Sequence, residues 1–123
     1  MKYILVVDDE IDILETIVDS LEVELEEKDV SISFSNLPSE ALRMFIKDNN
    51  FDLVVTDLKM PLMNGLELSK KLKSINNETE IIVFTGHGDN YEHQQLKEIG
   101  VTVMIKKPNI RELVESVTFE LKL

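Results

Sequence analysis

Four places in this sequence put a reactive or charged side chain at the end of an apolar run: the pair Asp8-Asp9, then Asp57, Thr85 and Lys107. Three carboxylates brought close together push each other's pKa upward unless a cation sits among them. Ligation by carboxylate, carbonyl and water oxygens alone describes a hard ion such as Mg²⁺. Each residue taken singly has a plainer explanation. Asp before a helix is a favoured N-cap, so one of Asp8 and Asp9 could be only that, although a second adjacent carboxylate gains nothing from capping. Asp57 alone could be a loop residue, Thr85-Gly86 a simple turn, and Lys107-Pro108 a strand terminator with a solvated Lys. Their common position at strand ends gives the set its weight.

The elements that must position these groups alternate along the chain. Residues 3–7 form a short apolar, β-branched run, as a buried parallel strand requires. A helical stripe follows, with Ile11, Leu14, Val18, Leu21 and Leu25 on one face and Asp12, Glu15, Asp19 and Glu22 opposite. Ile32 and Phe34 mark a weaker, alternating strand over 30–34. Pro38 stands where a helix begins, with Ala41, Leu42 and Phe45 on its apolar side. Residues 53–56 are the third strand and lead into Asp57. Met60-Pro61 and Asn64-Gly65 read as loop, and the next helix carries Leu66, Leu68 and Leu72. Residues 81–84 are the fourth strand. Segment 89–99 is a polar, weakly patterned helix stopped by Gly100. A fifth strand over 101–105 and an amphipathic helix over 110–121 complete the series. The acidic run 22–29 reads as a solvated helix end, and no repeat, linker or low-complexity stretch interrupts the order.

Five βα units with short connections predict an α/β fold. It is one doubly wound, five-stranded parallel sheet with five helices on its two faces, a single domain over residues 1–123. In such sheets ligands gather outside the carboxyl ends of the strands, where strand order reverses. The flavodoxin-like order 2-1-3-4-5 makes the first and third strands neighbours at that point, so Asp8, Asp9 and Asp57 converge.

Over essentially its whole length the sequence resembles the receiver domains of two-component response regulators, the CheY-like superfamily. The stretches that carry the resemblance are Ile4-Leu5-Val6-Val7-Asp8-Asp9-Glu10, Phe51-Asp52-Leu53-Val54-Val55-Thr56-Asp57-Leu58-Lys59-Met60-Pro61 with Gly65, Ile82-Val83-Phe84-Thr85-Gly86, and Lys107-Pro108, at matching spacing. The resemblance implies that Asp57 is the phosphoacceptor. It would take a phosphoryl group from the phosphohistidine of a histidine kinase or phosphotransfer protein and so switch the binding of a downstream partner. The resemblance also implies Mg²⁺ (or Mn²⁺) held by Asp8, Asp9, Asp57 and the Lys59 backbone carbonyl, one of the first two aspartates directly or through water. Thr85 and Lys107 would contact the phosphoryl oxygens, and the Lys107–Pro108 bond would be cis.

The residue types agree with that chemistry. A carboxylate can attack phosphorus and form an acyl phosphate. The loose transition state needs its equatorial oxygens neutralised, which a metal on one side and an ammonium on the other can do. Lys107 would serve as a point charge, Thr85 as a hydroxyl donor, and Gly86 would leave room beside it. Water attack would reverse the modification, so a slowly self-dephosphorylating acceptor is expected rather than an enzyme. Met104 stands three residues before Lys107, where the family usually has Tyr or Phe. Lys59 and His87 hold variable positions at the pocket mouth, where the plain reading is a solvated loop residue. His93 reads as a surface residue. Ile13, off the apolar stripe and close to Asp9, is either the edge of the core or an exposed contact for the donor's helix bundle.

The chain has 123 residues, 43% of them hydrophobic, which is enough for a core that needs no staples. It has no Cys, which excludes disulfides and thiolate metal sites and fits a reducing compartment. Residues 1–7 reach Asp8 after too short an apolar stretch for a signal peptide, and no run approaches a membrane span. A soluble, cytoplasmic protein is expected. With 24 acidic and 13 basic residues the net charge is −11, which repels phosphate backbones and anionic membranes. No helix-turn-helix follows residue 110, so neither a direct nucleic-acid partner nor a membrane partner is expected. Two other functions fit the residues less well. A phosphatase of the haloacid-dehalogenase type needs a second Asp two residues after its nucleophile, where this chain has Lys59. A non-phosphorylated binding module on the same fold has no physical need of Asp8, Asp9, Asp57, Thr85 and Lys107 together.

Overall fold

The computed structural model describes every residue of the chain except Asn49 and Asp89. Five strands, β1 (Lys2–Val7), β2 (Val30–Ser35), β3 (Leu53–Thr56), β4 (Glu80–Thr85) and β5 (Val103–Lys106), alternate with five helices. The helices are α1 (Ile11–Glu24), α2 (Pro38–Asp48), α3 (Gly65–Ile75), α4 (Asn90–Glu98) and α5 (Ile110–Glu120). The strands pair in parallel in the order β2-β1-β3-β4-β5. This is the doubly wound sheet that the alternation of patterns predicts. Of the helical segment expected over 89–99, residue 89 lies outside the described residues. Among the described residues no helix is long and apolar enough to cross a membrane.

Alternate residues of the inner strands feed two separate cores. Ile4 and Val6 of β1, Leu53 and Val55 of β3, and Ile82 and Phe84 of β4 pack with α1 and α5. Leu5, Val7, Val54, Ile81 and Val83 point the other way, against α2, α3 and α4. A strand covered on both faces has no polar side, which is why these runs are continuously apolar. Each fully buried Leu, Ile or Val adds roughly 1.5–3 kcal/mol to the drive toward this arrangement. At the sheet edge β2 is only half covered, and Phe34 is exposed.

On α1 the buried stripe is Leu14, Ile17, Val18 and Leu21, with Leu25 buried as the C-cap. The expected stripe is corrected at one position: Ile11 is 54% exposed, and Ile17 is buried instead. Ile11 is the first helical residue, at the carboxyl edge of the sheet, where the helix has not yet reached the strands beneath it. Ile13 is half-buried and packs against the α1/α5 core, so it is the edge of the core and not a free apolar contact.

The fifth strand starts at Val103, not at residue 101 as the apolar run suggests. Val101 is buried for a different reason. Gly100, at φ +91°, turns the chain at the end of α4, its N–H donating to the Lys97 carbonyl at 3.0 Å. The Val101 N–H donates to the Leu96 carbonyl at 2.9 Å, and both side chains are fully buried in one cluster. That is a Schellman turn with its apolar clasp, and the clasp mimics the start of a strand.

Candidate functional site

Strands β1 and β3 lie in register with Val7 opposite Thr56, so the next residue of each, Asp8 and Asp57, leaves the sheet at the same level. The Asp57 N–H still donates to the Val7 carbonyl at 3.2 Å, and the Asp8 N–H to the Ser35 carbonyl at 3.3 Å. Asp9 follows, half-buried. One carboxylate oxygen from each of Asp8, Asp9 and Asp57 falls within 4.8 Å of the others. The convergence expected from strand order is present.

Lys107 closes the site from the far side. Its N–H donates to the Thr85 carbonyl at 3.0 Å, and the Lys107–Pro108 peptide is cis. The ammonium stands 2.9 Å from Asp57 Oδ2 and 2.9 Å from Asp8 Oδ2, with Glu10 Oε1 at 3.8 Å. The contact with Asp57 is a hydrogen bond, whereas the one with Asp8 is a close ion pair without that alignment. Asp57 Oδ1 accepts the Leu58 N–H at 2.6 Å, and Asp8 Oδ1 accepts the Glu10 N–H at 2.9 Å. Glu10 is itself the N-cap of α1 and makes no side-chain cap bond, so neither aspartate serves as that cap.

Three carboxylates against one ammonium leave two negative charges in a site where Asp8 is 1% and Asp57 2% exposed. Burial pushes the Asp8 carboxyl above the usual carboxylate range, and the neighbouring Lys107 does not fully reverse it. Burial alone would lower Lys107, but its contacts with the Asp57 and Asp8 carboxylates outweigh burial and hold the ammonium above the ordinary lysine value. Both shifts are upward, which disfavours the charge on Asp8 and favours the charge on Lys107. Lys107 keeps its proton, and its ammonium 2.9 Å away offsets only part of the cost of burying the Asp8 charge. Asp8 Oδ2 and Asp9 Oδ1 are buried without a hydrogen-bond partner. Buried charge is costly unless it is paired or coordinates a metal. These two oxygens, the first held only by an ion pair, join Asp57 in an all-oxygen donor set that fits a hard divalent ion.

Thr85 is buried at the end of β4, and its hydroxyl oxygen accepts the His87 N–H at 3.1 Å. Accepting that bond leaves its own proton free to donate. With Gly86, His93 and Met104 it lines a hollow of about 270 Å³ on the α4 side of the sheet. Met104 is half-buried there, and His87 is exposed. His93 is corrected from a surface residue to a half-buried one, packed so closely on Gly88 that a Cβ there would lie 3.1 Å from its Nε2. Lys59 sends its side chain away from the carboxylates, to Glu92 Oε2 on α4 at 3.1 Å.

One feature of the site carries no readable signal in the sequence. The Lys59–Glu92 pair joins residues 33 apart, and nothing in either neighbourhood announces it. Gly65 opens α3 with its N–H on the Leu58 carbonyl at 2.8 Å, and any Cβ at that position would run into the Asp57 carbonyl oxygen. The loop from 58 to 64 therefore folds back on the backbone of Asp57 itself, and Asn64 caps the helix by accepting the Glu67 N–H at 2.9 Å.

The profile of the response regulator receiver domain matches residues 4–118. This chain belongs to that family, the receiver domains of two-component response regulators. It is 34% identical over 115 residues to response regulator ArlR of Staphylococcus saprophyticus, covering 93% of this chain and 50% of the relative. It is 36% identical over 67 residues to sporulation initiation phosphotransferase F of Bacillus subtilis, covering 54% of each. A response regulator receiver domain protein from Clostridium thermocellum superposes with a TM-score of 0.84 at 29% identity, covering 99% of this chain and 95% of that one. The chain spans about half the length of the curated relatives it matches.

Proposed function

We propose that the chain is a phosphoacceptor switch in which the Asp57 carboxylate attacks the phosphorus of a phosphohistidine. The P–N bond breaks, an Asp57 Oδ–P bond forms, and the leaving imidazole keeps the electron pair and takes up a proton. The Leu58 N–H on Oδ1 fixes the plane of the nucleophile. The Lys107 ammonium, already on Oδ2, follows the transferred group and neutralises one of its oxygens. The Thr85 hydroxyl, acceptor to His87, donates its free proton to another. A Mg²⁺ or Mn²⁺ ion held by Asp8, Asp9, Asp57 and the Lys59 carbonyl would supply the remaining charge compensation.

The observation that carries this reading is the buried Asp57 carboxylate, held by Lys107 on one side and clustered with the carboxylate oxygens of Asp8 and Asp9 on the other. The donor is a histidine kinase or a phosphotransfer protein, and the phosphorylated domain changes its affinity for a downstream protein or effector. The chain turns over no external substrate beyond its own slow dephosphorylation, and it acts over its whole length as one cytoplasmic receiver domain without touching nucleic acid or membrane. Incubation with acetyl phosphate and Mg²⁺, followed by intact mass measurement, should show one phosphoryl group per chain. EDTA should prevent the increment, and a chain that stays unmodified with Mg²⁺ present would contradict the reading.

A further inference from the structure

The negative charge of this protein is concentrated on one face. Helix α1 carries Asp12, Glu15, Asp19, Glu22 and Glu24 and no Lys or Arg. Helix α5 carries Glu112, Glu115 and Glu120 against the single base Arg111. Eight carboxylates against one guanidinium give these two neighbouring helices a net charge of −7, out of −11 for the chain. Arg111 is itself committed, its Nε 3.6 Å from Glu115 Oε1.

The same face is apolar where the helices meet. A groove of about 550 Å³ runs between Val23 of α1 and Ile110 and Val114 of α5. It continues, past Glu24 and Val114, into a second hollow of about 540 Å³ lined by Phe119 and Leu123, with Lys122 the one base there. Phe119 is 80% and Val23 70% exposed, an unusual position for two large apolar side chains on otherwise acidic helices. Two hollows in line along a pair of helices match the way a helix lays successive apolar anchors into a groove.

We propose that the α1/α5 groove is a docking site for a basic amphipathic helix of a partner protein, with apolar anchors seated beside Val23 and Phe119 and Lys or Arg side chains meeting Asp19, Glu24 and Glu115. The charge selects this occupant. A second copy of the chain would set −7 against −7 at contact distance, where salt screening is incomplete. Nucleic acid and anionic lipid carry the same sign as these two helices. Val23 lies twelve residues into α1, about 18 Å along the helix axis from its start beside Asp9. The site is therefore remote from the phosphoacceptor, and its occupant can remain bound while a donor engages Asp57. The proposal does not depend on phosphorylation.

The test uses a synthetic helical peptide with Leu at i, i+3 and i+7 and Lys on the flanks, plus a scrambled peptide of the same composition, titrated into the ¹⁵N-labelled full chain. Shift changes should fall on residues 19–24 and 110–123 and weaken as salt is raised. Val23→Ser and Phe119→Ser, both at exposed positions, should each lower affinity by about tenfold while acetyl phosphate labelling stays at the wild-type level. Equal binding of the scrambled peptide would reduce the face to a solvated acidic surface and overturn the proposal. Shift changes centred elsewhere would overturn it too, as would sedimentation as a dimer through this face or binding to anionic vesicles.

Discussion

The Lys59 ammonium lies 3.1 Å from Glu92 Oε2, so the loop that follows Asp57 is tied to the fourth helix. The pair is 53% and 16% exposed at its two side chains, which places it among surface ion pairs of modest strength. A Lys59→Ala/Glu92→Ala double-mutant cycle in urea should return a coupling of about 0.2–1 kcal/mol that shrinks as salt is added. Breaking the pair should also reduce the amide shift changes that beryllofluoride and Mg²⁺ produce in residues 90–98, because one route from the acceptor loop to α4 is cut. A coupling of zero at low salt, with unchanged shifts, would mean that the contact transmits nothing.

Asp8 predicts a stability profile set by charge. Its carboxyl is raised above the ordinary value of 3.8 by burial. The folded state therefore holds this proton more tightly than the unfolded chain. The favourable contribution is present below the unfolded value and is lost as pH rises through the folded one. At neutral pH the ionised Asp8 destabilises the metal-free fold, and Asp8→Asn should stabilise it by on the order of 1 kcal/mol. Mg²⁺ should stabilise the wild type by about 2.7 kcal/mol at a hundredfold excess over its dissociation constant. The same addition should do little for Asp8→Asn. Thermal unfolding at several pH values, with and without Mg²⁺, measures both effects, and equal Mg²⁺ stabilisation of the two proteins would count against Asp8 as a ligand.

Gly65→Ala sets two effects against each other. At the first position of α3 an Ala gains up to about 1 kcal/mol of helix propensity over Gly. The new Cβ meets the Asp57 carbonyl oxygen, which is backbone and cannot rotate away. Overpacking of this kind typically costs about 1–3 kcal/mol, so the clash should win. The variant should unfold at lower urea and bind Mg²⁺ more weakly, since Asp57 is displaced with its backbone. A gain in stability would show that the close approach is easily relieved.

The parts of the site that can be read in the sequence are those fixed by strand ends. Asp8 and Asp57 each follow a run buried on both faces, Lys107 follows the half-covered edge strand β5, and parallel pairing carries all three to one end of the sheet. Local pattern misleads where two structures share it. Val101 looks like strand but clasps a helix end, and Ile11 has the right helical phase but stands beyond the strands it would cover. Contacts set by tertiary placement alone, such as Lys59 with Glu92 or His93 against Gly88, have no local signature. The Thr85 hydroxyl shows a further limit: its residue type is legible, but the bond it accepts from His87 depends on the turn that follows β4.

The most direct test of the account locates the phosphoryl group. The protein is incubated with acetyl phosphate and Mg²⁺, the acyl phosphate is reduced with borohydride, and the resulting homoserine is mapped by peptide mass spectrometry. The account predicts homoserine at position 57 alone, and none in Asp57→Asn treated in the same way. Homoserine at position 8 or 9, or phosphate incorporation that persists undiminished in Asp57→Asn, would contradict it.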